Sequence, residues 1–254
     1  MTLTLLTYLF IFIIGTIIGS FLNVLIVRIP KEESIAFPAS HCVHCDTPLK
    51  PWHNIPLISW LILRGKCSFC SGPISIQYPI VELLSGIIFV TLFIKMGIAW
   101  ATLGIALVFL LLLTLSVIDF YYKMVPDSLN LAALTLAIIS VWSLPMLVNN
   151  FVNALIFAGA FSLLRFYISY AIKQEAMGEA DIMIAATMGA LLGIELTLAA
   201  IFVSAVLALP AMLLLRDETD ESRQVPFIPF LAMATWIVYI FDTQVSAYLG
   251  SLYG

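Results

Sequence analysis

LTLLTYLFIFIIGTIIGSFLNVLIV, residues 3–27, holds no charged side chain. A run of about 20 apolar residues is the signature of a membrane-crossing helix, and this one is longer. No basic residue precedes it, no small-residue cleavage site closes it, and it exceeds the apolar core of a secretory signal. It reads as a retained first helix.

Similar runs recur down the chain. The 254 residues are 62% hydrophobic and only 10% charged, with a mean hydropathy of +1.10, far less charged than a soluble domain. The expected fold is all-α: a polytopic membrane protein of about eight transmembrane helices with one long polar insert. The spans are expected at 3–27, 79–97, 101–118, 128–143, 151–171, 182–194, 196–215 and 227–242. The break between the sixth and seventh rests on Gly189, Gly193 and Glu195. The chain thus divides into a first transmembrane helix (1–27), a polar insert (28–78) and a helical membrane core (79–254). No internal repeat is visible, and the 216–224 stretch RDETDESRQ reads as a solvated loop.

Basic residues set the orientation. Arg28, Lys31, Lys50, Arg64 and Lys66 lie in or beside the insert, and Lys123, Lys173, Arg216 and Arg223 lie in alternate later loops. With eight spans all of these share one side, which the positive-inside rule makes cytoplasmic. Seven spans would scatter them.

All four cysteines lie in the insert, as CVHC at 42–45 and CSFC at 67–70. Two C-x2-C pairs at this spacing predict a four-thiolate zinc site of Cys42, Cys45, Cys67 and Cys70. Cytoplasmic thiols stay reduced, which favours metal over disulfides. His41, His44 and His53 are spare ligands. Four cysteines leave no open coordination position, so the zinc is expected to fold the insert rather than to catalyse.

Two acids stand at the edges of apolar runs. VIDFYYKMVPDSLN, 117–130, places Asp119 at the end of the third span, where the helix dipole disfavours a negative charge. Asp127, after Pro126, reads with Ser128 as a cap of the next helix. MGEADIM, 177–183, places Asp181 near the start of the sixth span, where it reads equally as a cap or as a functional acid, with Glu179 able to share the capping role. Carboxylates at a membrane face are costly and point to function. Two of them, one ionised and one protonated, suit aspartic hydrolysis of a peptide.

The motifs together resemble the type IV prepilin peptidases, of the GxGD class of membrane aspartyl proteases. GSFLNVLIVRIP (19–30), the paired C-x2-C motifs, NIPLISWLILRGKC (54–67), QYPIVELLSG (77–86), VIDFYYKMVPD and VPFIPFLA (225–232) carry the resemblance nearly end to end. It implies that Asp119 and Asp181 are the catalytic pair, that Asp127 is not, and that the chain sits in the bacterial inner membrane with insert and acids facing the cytoplasm. It implies prepilins or type II secretion pseudopilins as substrates, membrane lipid as surroundings and no nucleic-acid partner. It also implies methylation of the new N-terminal residue from S-adenosylmethionine. No glycine-rich cofactor fingerprint is visible. The chain departs from the family in three places: Ala180 replaces glycine before the second acid, Met183 stands where lysine is common, and His53 where an acid is common.

The remaining polar residues of the spans have packing readings. Asn23 is a helix-packing partner, Gly15, Gly19 and Ser20 allow close approach, and Arg28 anchors the first helix at the interface. Glu82 is costly enough to belong near the methyl-transfer or substrate site. Two rival readings stand: a proton- or ion-coupled transporter, and a zinc-stabilised scaffold of a pilus or secretion assembly with inactive aspartates. The lack of an inverted repeat weighs against the first, and Ala180 favours the second.

Overall fold

A computed structural model describes residues 2–141, 143–175, 177–215 and 226–253. The expected loop at 216–224 lies outside the described residues. Among them the helices are α1 (Thr2–Arg28), α2 (Ile58–Ile62), α3 (Gln77–Met96), α4 (Trp100–Tyr122), α5 (Asp127–Ile139), α6 (Leu144–Ile172), α7 (Glu179–Leu215), α8 (Ile228–Ile240) and α9 (Asp242–Tyr253). Five of them (α1, α3, α4, α6 and α7) are long and apolar enough to cross a membrane. The α8–α9 pair, bent by 84°, makes a sixth if taken as one span. The protein is a multi-pass membrane protein. Side chains such as Phe10, Leu163, Phe166 and Phe202 stay exposed, as a lipid-facing surface requires.

The eight expected spans and these helices differ at identifiable places. α5 has 13 residues, about 20 Å of helix, short of a bilayer core. The expected break between the sixth and seventh spans falls at Gly193, at φ 73, inside the element α7. The break is a reversal. Ala185 and Ile201 would lie about 24 Å apart along a straight helix, yet Ile201 packs on the cluster formed by Phe157, Phe161 and Ala185. Thr197 Oγ1 donates to the Met188 carbonyl at 3.1 Å across the same hinge. Glycine is needed here because other residues rarely adopt that conformation.

The chain forms two compact units, Met1–Gly97 and Ile98–Gly254. In the first, α1 packs along α3 at nearly backbone distance. A Cβ on Gly15 would lie 2.9 Å from Gly86 Cα, and one on Gly19 would lie 2.7 Å from Ser85 Oγ. Small residues permit this approach where no water drives helices together. Asn23 is the expected packing partner: its Nδ2 donates to the Gly19 and Tyr78 carbonyls. Arg28 behaves differently from the expectation. It turns into the protein and donates to the Ser34 and Pro38 carbonyls at 2.8 and 2.7 Å, tying down the first loop of the insert.

In the second unit, Val108, Phe109, Leu110 and Ile118 of α4, Ile184 and Met188 of α7 and Leu231 of α8 are all nearly inaccessible. Lys123, in the left-handed region, closes α4 by donating its N–H to the Asp119 carbonyl at 3.0 Å. Asp127 does not cap α5. Pro126 occupies the cap position, no side chain caps there, and Asp127 is the first helical residue, exposed and favoured only by the helix dipole.

Candidate active site and metal cluster

The insert builds its cysteine cluster from two copies of one turn. The Cys42 N–H donates to Thr47 O, and Asp46 N–H returns to Cys42 O at 2.9 Å. The Cys67 N–H donates to Gly72 O, and Ser71 N–H returns to Cys67 O at 2.9 Å. Asp46 and Ser71 both take the left-handed conformation that closes such a turn. His44 and Phe69 N–H groups point at the Cys42 and Cys67 sulfurs, each at 3.4 Å. None of the four cysteines is in a disulfide.

The four sulfurs lie within 4.8 Å of one another, and those of Cys42 and Cys70 are 3.9 Å apart. A tetrahedral ion with metal–sulfur bonds of about 2.3 Å sets sulfurs about 3.8 Å apart, so the cluster can hold a metal ion. The electrostatics agree. N–H groups of Cys70 and Phe69 bring the Cys67 thiol down to about 7. Cys45 is also lowered, first by the Thr47 hydroxyl. At Cys70 the Gly72 N–H lowers the thiol, but desolvation and the other three sulfurs push it up to about 11. Four thiolates this close need a cation to coexist. His53 is not among the group. Its ring lies against Phe69, with Nε2 3.3 Å from Ser68 Oγ.

Both acids lie in the second unit, Asp181 within electrostatic range of Asp119. Asp119, in the last turn of α4, accepts the Ile228 N–H from the first turn of α8, and it feels the charge of Asp181. Its Oδ2 is buried with no hydrogen-bond partner. Asp181 is the third residue of α7, and its Oδ2 accepts the Gly178 N–H at 3.2 Å. That is one half of a capping box. The capping reading and the functional reading of Asp181 are therefore compatible, because a carboxylate has two oxygens.

Ala180 lies in the first turn of α7 and is not among the residues with positive φ. Alanine is therefore unstrained in GEAD. Its carbonyl accepts a 3.2 Å hydrogen bond from Asn130 Nδ2, and Asn130 is 0% exposed. Asn130 sits on α5, three residues past Asp127, and bridges the two acid motifs. Sequence reading passed over it; the only signal was a buried-face amide close behind the first motif. Glu179 is held away from the pair: Arg165 of α6 binds it at 3.1 Å and Glu175 at 3.7 Å. Asp127 is exposed and forms no part of this group.

Comparison with known proteins identifies the family. The family model for the bacterial peptidase A24 N-terminal domain matches residues 13–96, and that for the type IV leader peptidase family matches 106–213. A prepilin leader peptidase/N-methyltransferase of Stutzerimonas stutzeri is 32% identical over 92% of this chain and 91% of its own length. Those of Neisseria gonorrhoeae and Xanthomonas campestris pv. campestris are each 33% identical, over 92% and 93% of this chain and 90% and 92% of theirs. No solved structure matches. Two family models in tandem, full-length relatives and an acid pair drawn from two separate motifs lead to one conclusion: the chain belongs to the type IV leader peptidase family.

Proposed function

We propose that the protein is a membrane aspartic endopeptidase that removes the leader from prepilins or type II secretion pseudopilins, with Asp119 and Asp181 as its catalytic pair. The observation that carries this reading is that two acids from motifs 62 positions apart (119 to 181) lie within electrostatic reach of each other. Two carboxyls in mutual range hold one proton between them. The ionised one takes a proton from water as it attacks the scissile carbonyl. The protonated one hydrogen-bonds that carbonyl and then protonates the leaving amine. The Ile228 N–H fixes Asp119, and the Gly178 N–H fixes Asp181.

The relatives' shared name supports a second activity, methylation of the amine that cleavage exposes. S-adenosylmethionine supplies an activated methyl group for it. The four-cysteine cluster suits zinc, held by Cys42, Cys45, Cys67 and Cys70 as a structural ion, since all four positions are filled by protein. We place the protein in the bacterial inner membrane with insert and acids facing the cytoplasm, on the distribution of basic residues. The division into a first helix (1–27), an insert (28–78) and a peptidase core (79–254) belongs to the same reading.

The test is cleavage of a prepilin by purified protein in detergent. The native protein is expected to cut, and Asp119→Asn and Asp181→Asn to be inert while keeping native metal content. A folded, metal-loaded native protein that cuts no prepilin would favour the scaffold. Proton-coupled uptake in vesicles would favour the transporter.

A further inference from the structure

The insert carries an apolar face that its own packing leaves open. A 3₁₀ turn, Pro51–Asn54, leads through Ile55 into α2. Ser59 stitches the two together, its hydroxyl donating to the Trp52 and Ile55 carbonyls at 2.9 and 2.8 Å. Ser59 and Trp60 face inward: Ser59 is buried, and Trp60 Nε1 donates to the Ile74 carbonyl at 3.2 Å. On the other side Trp52, Ile55, Ile58, Leu61 and Ile62 are 45–74% exposed. The isoleucines and Leu61 recur at the three- and four-residue spacing of one helix face. A contiguous apolar patch of this kind marks an interaction surface.

Two observations identify the partner. The first is depth. α3 has 20 residues, about 30 Å of helix, the thickness of the hydrocarbon core of a bilayer. Glu82 lies five residues into it (77 to 82), and its Oε2 accepts the Leu57 N–H at 2.7 Å. A glutamate side chain spans about one helical turn, roughly 5 Å. Leu57, which opens α2, therefore sits beside the opening turns of α3 and not beyond its end. On α1 the same level is marked by Gly19, where an added Cβ would lie 2.9 Å from Glu82 Cα, nine residues before that helix ends at Arg28 (19 to 28). α2 thus begins alongside two membrane-crossing helices.

The second observation is charge. From Lys50 to Lys66 the chain holds Lys50, Arg64 and Lys66 and no acid. All three are exposed, and Lys50 Nζ lies 5.3 Å from the centroid of the Trp52 ring. The bases stand at the two ends of the apolar stretch. Lysine and arginine take such places where a helix lies in the headgroup layer, and tryptophan is enriched at the same level.

We propose that residues 50–66 form an interfacial anchor on an anionic bilayer, with Trp52, Ile55, Ile58, Leu61 and Ile62 among the lipid chains and Lys50, Arg64 and Lys66 against headgroup phosphates. The Glu82 carboxylate sets its depth. It holds Leu57 at φ 62, a conformation rare outside glycine, so the turn into α2 is locked to α3. Cys67 follows directly, so the anchor keeps the cysteine cluster close to the bilayer surface.

The experiment is tryptophan fluorescence of the full-length, metal-loaded protein in nanodiscs of phosphatidylglycerol and phosphatidylcholine. Subtracting the emission of Trp52→Phe isolates Trp52 from the other tryptophans. Its emission is expected to be quenched by phospholipid brominated near the glycerol end of the chains, less by phospholipid brominated near the chain ends, and little by acrylamide in water. The double variant Leu61→Gln, Ile62→Gln changes only exposed positions and is expected to lower the bromolipid quenching at least about twofold. The triple variant Lys50→Gln, Arg64→Gln, Lys66→Gln is expected to lose the excess quenching that phosphatidylglycerol gives over phosphatidylcholine alone. Metal content and thermal midpoint report whether each variant is folded.

Quenching of Trp52 by acrylamide and not by bromolipid would overturn the anchor and leave this face in water. Quenching by neither would overturn it in favour of a protein surface covering the face. Undiminished bromolipid quenching in the folded double variant would overturn the role given to Leu61 and Ile62. Equal quenching of the native protein in both lipid compositions would overturn the role given to the three bases.

Discussion

Cys42 and Cys67 find their hydrogen-bond partners within five residues, each closing its own small turn. Asp119 takes its partner from Ile228, and Ala180 takes its from Asn130, fifty positions away. The cysteine cluster is assembled from local geometry and completed by an ion. The acid site is assembled from four helices, and none of them presents it alone. Local sites fail when their ligand is lost. Distributed sites fail when any supporting helix moves. The two regions should therefore respond to different perturbations.

The sharpest separation is at the acids. Asp119→Asn or Asp181→Asn should lower leader cleavage about a thousandfold or more, with metal content unchanged by elemental analysis. If Asp181→Asn still cuts, Asp181 is a cap alone and Glu179 becomes the acid to test. Proton competition should mark the cysteine cluster instead. With the Cys67 thiol at about 7 and Cys70 at about 11, metal binding between those values displaces a proton from Cys70 but none from Cys67. Below about pH 7 Cys67 also holds a proton that the metal must displace. Affinity should thus fall as pH falls, and its dependence should steepen by about a further tenfold per unit below 7. A competing chromophoric chelator measures this, and an unbroken slope through 7 would contradict it.

Asn130→Leu should reach the acid site without touching either acid. It removes the hydrogen bond that ties α5 to the Ala180 carbonyl of α7, at a net cost of about 0.5–1.5 kcal/mol. The turnover number for cleavage should fall about tenfold with KM little changed, because only the approach of the two motifs is disturbed. An equal loss in metal content would mean that the damage is general. The smallest effect is expected at Arg165→Ala. Glu175 and Glu179 are largely exposed, and such pairs contribute about 1 kcal/mol or less. Cleavage should change less than about twofold, whereas a large loss would make the Arg165–Glu179 contact part of the catalytic loop.

The same contrast explains what the sequence made legible. Paired C-x2-C motifs carry their geometry in their spacing, so the cluster could be read directly. The apolar runs likewise announced the helices, and Gly193 was noted as a break. The meeting of Asp119 with Ile228 was not readable, because it depends on a backbone N–H more than a hundred positions away. Nor was the inward turn of Arg28, since an arginine at a helix end looks the same whether it reaches water or carbonyls. Glu82 stood out as a costly charge, but only the fold shows that its carboxylate holds the Leu57 N–H. Alanine suffices before the second acid because the helix begins early enough that no left-handed residue is needed there.

The hinge at Gly193 has a consequence that reaches beyond its own turn. Because α7 folds back there, Thr197 reaches the Met188 carbonyl and Ile201 returns to the cluster around Ala185. Were α7 to run straight, Ile201 would lie about 24 Å from Ala185. Space is not what glycine protects there, since an added Cβ would come no closer than 3.8 Å to Asn153. What it protects is direction, so one backbone angle determines whether the second arm of α7 runs back along the first.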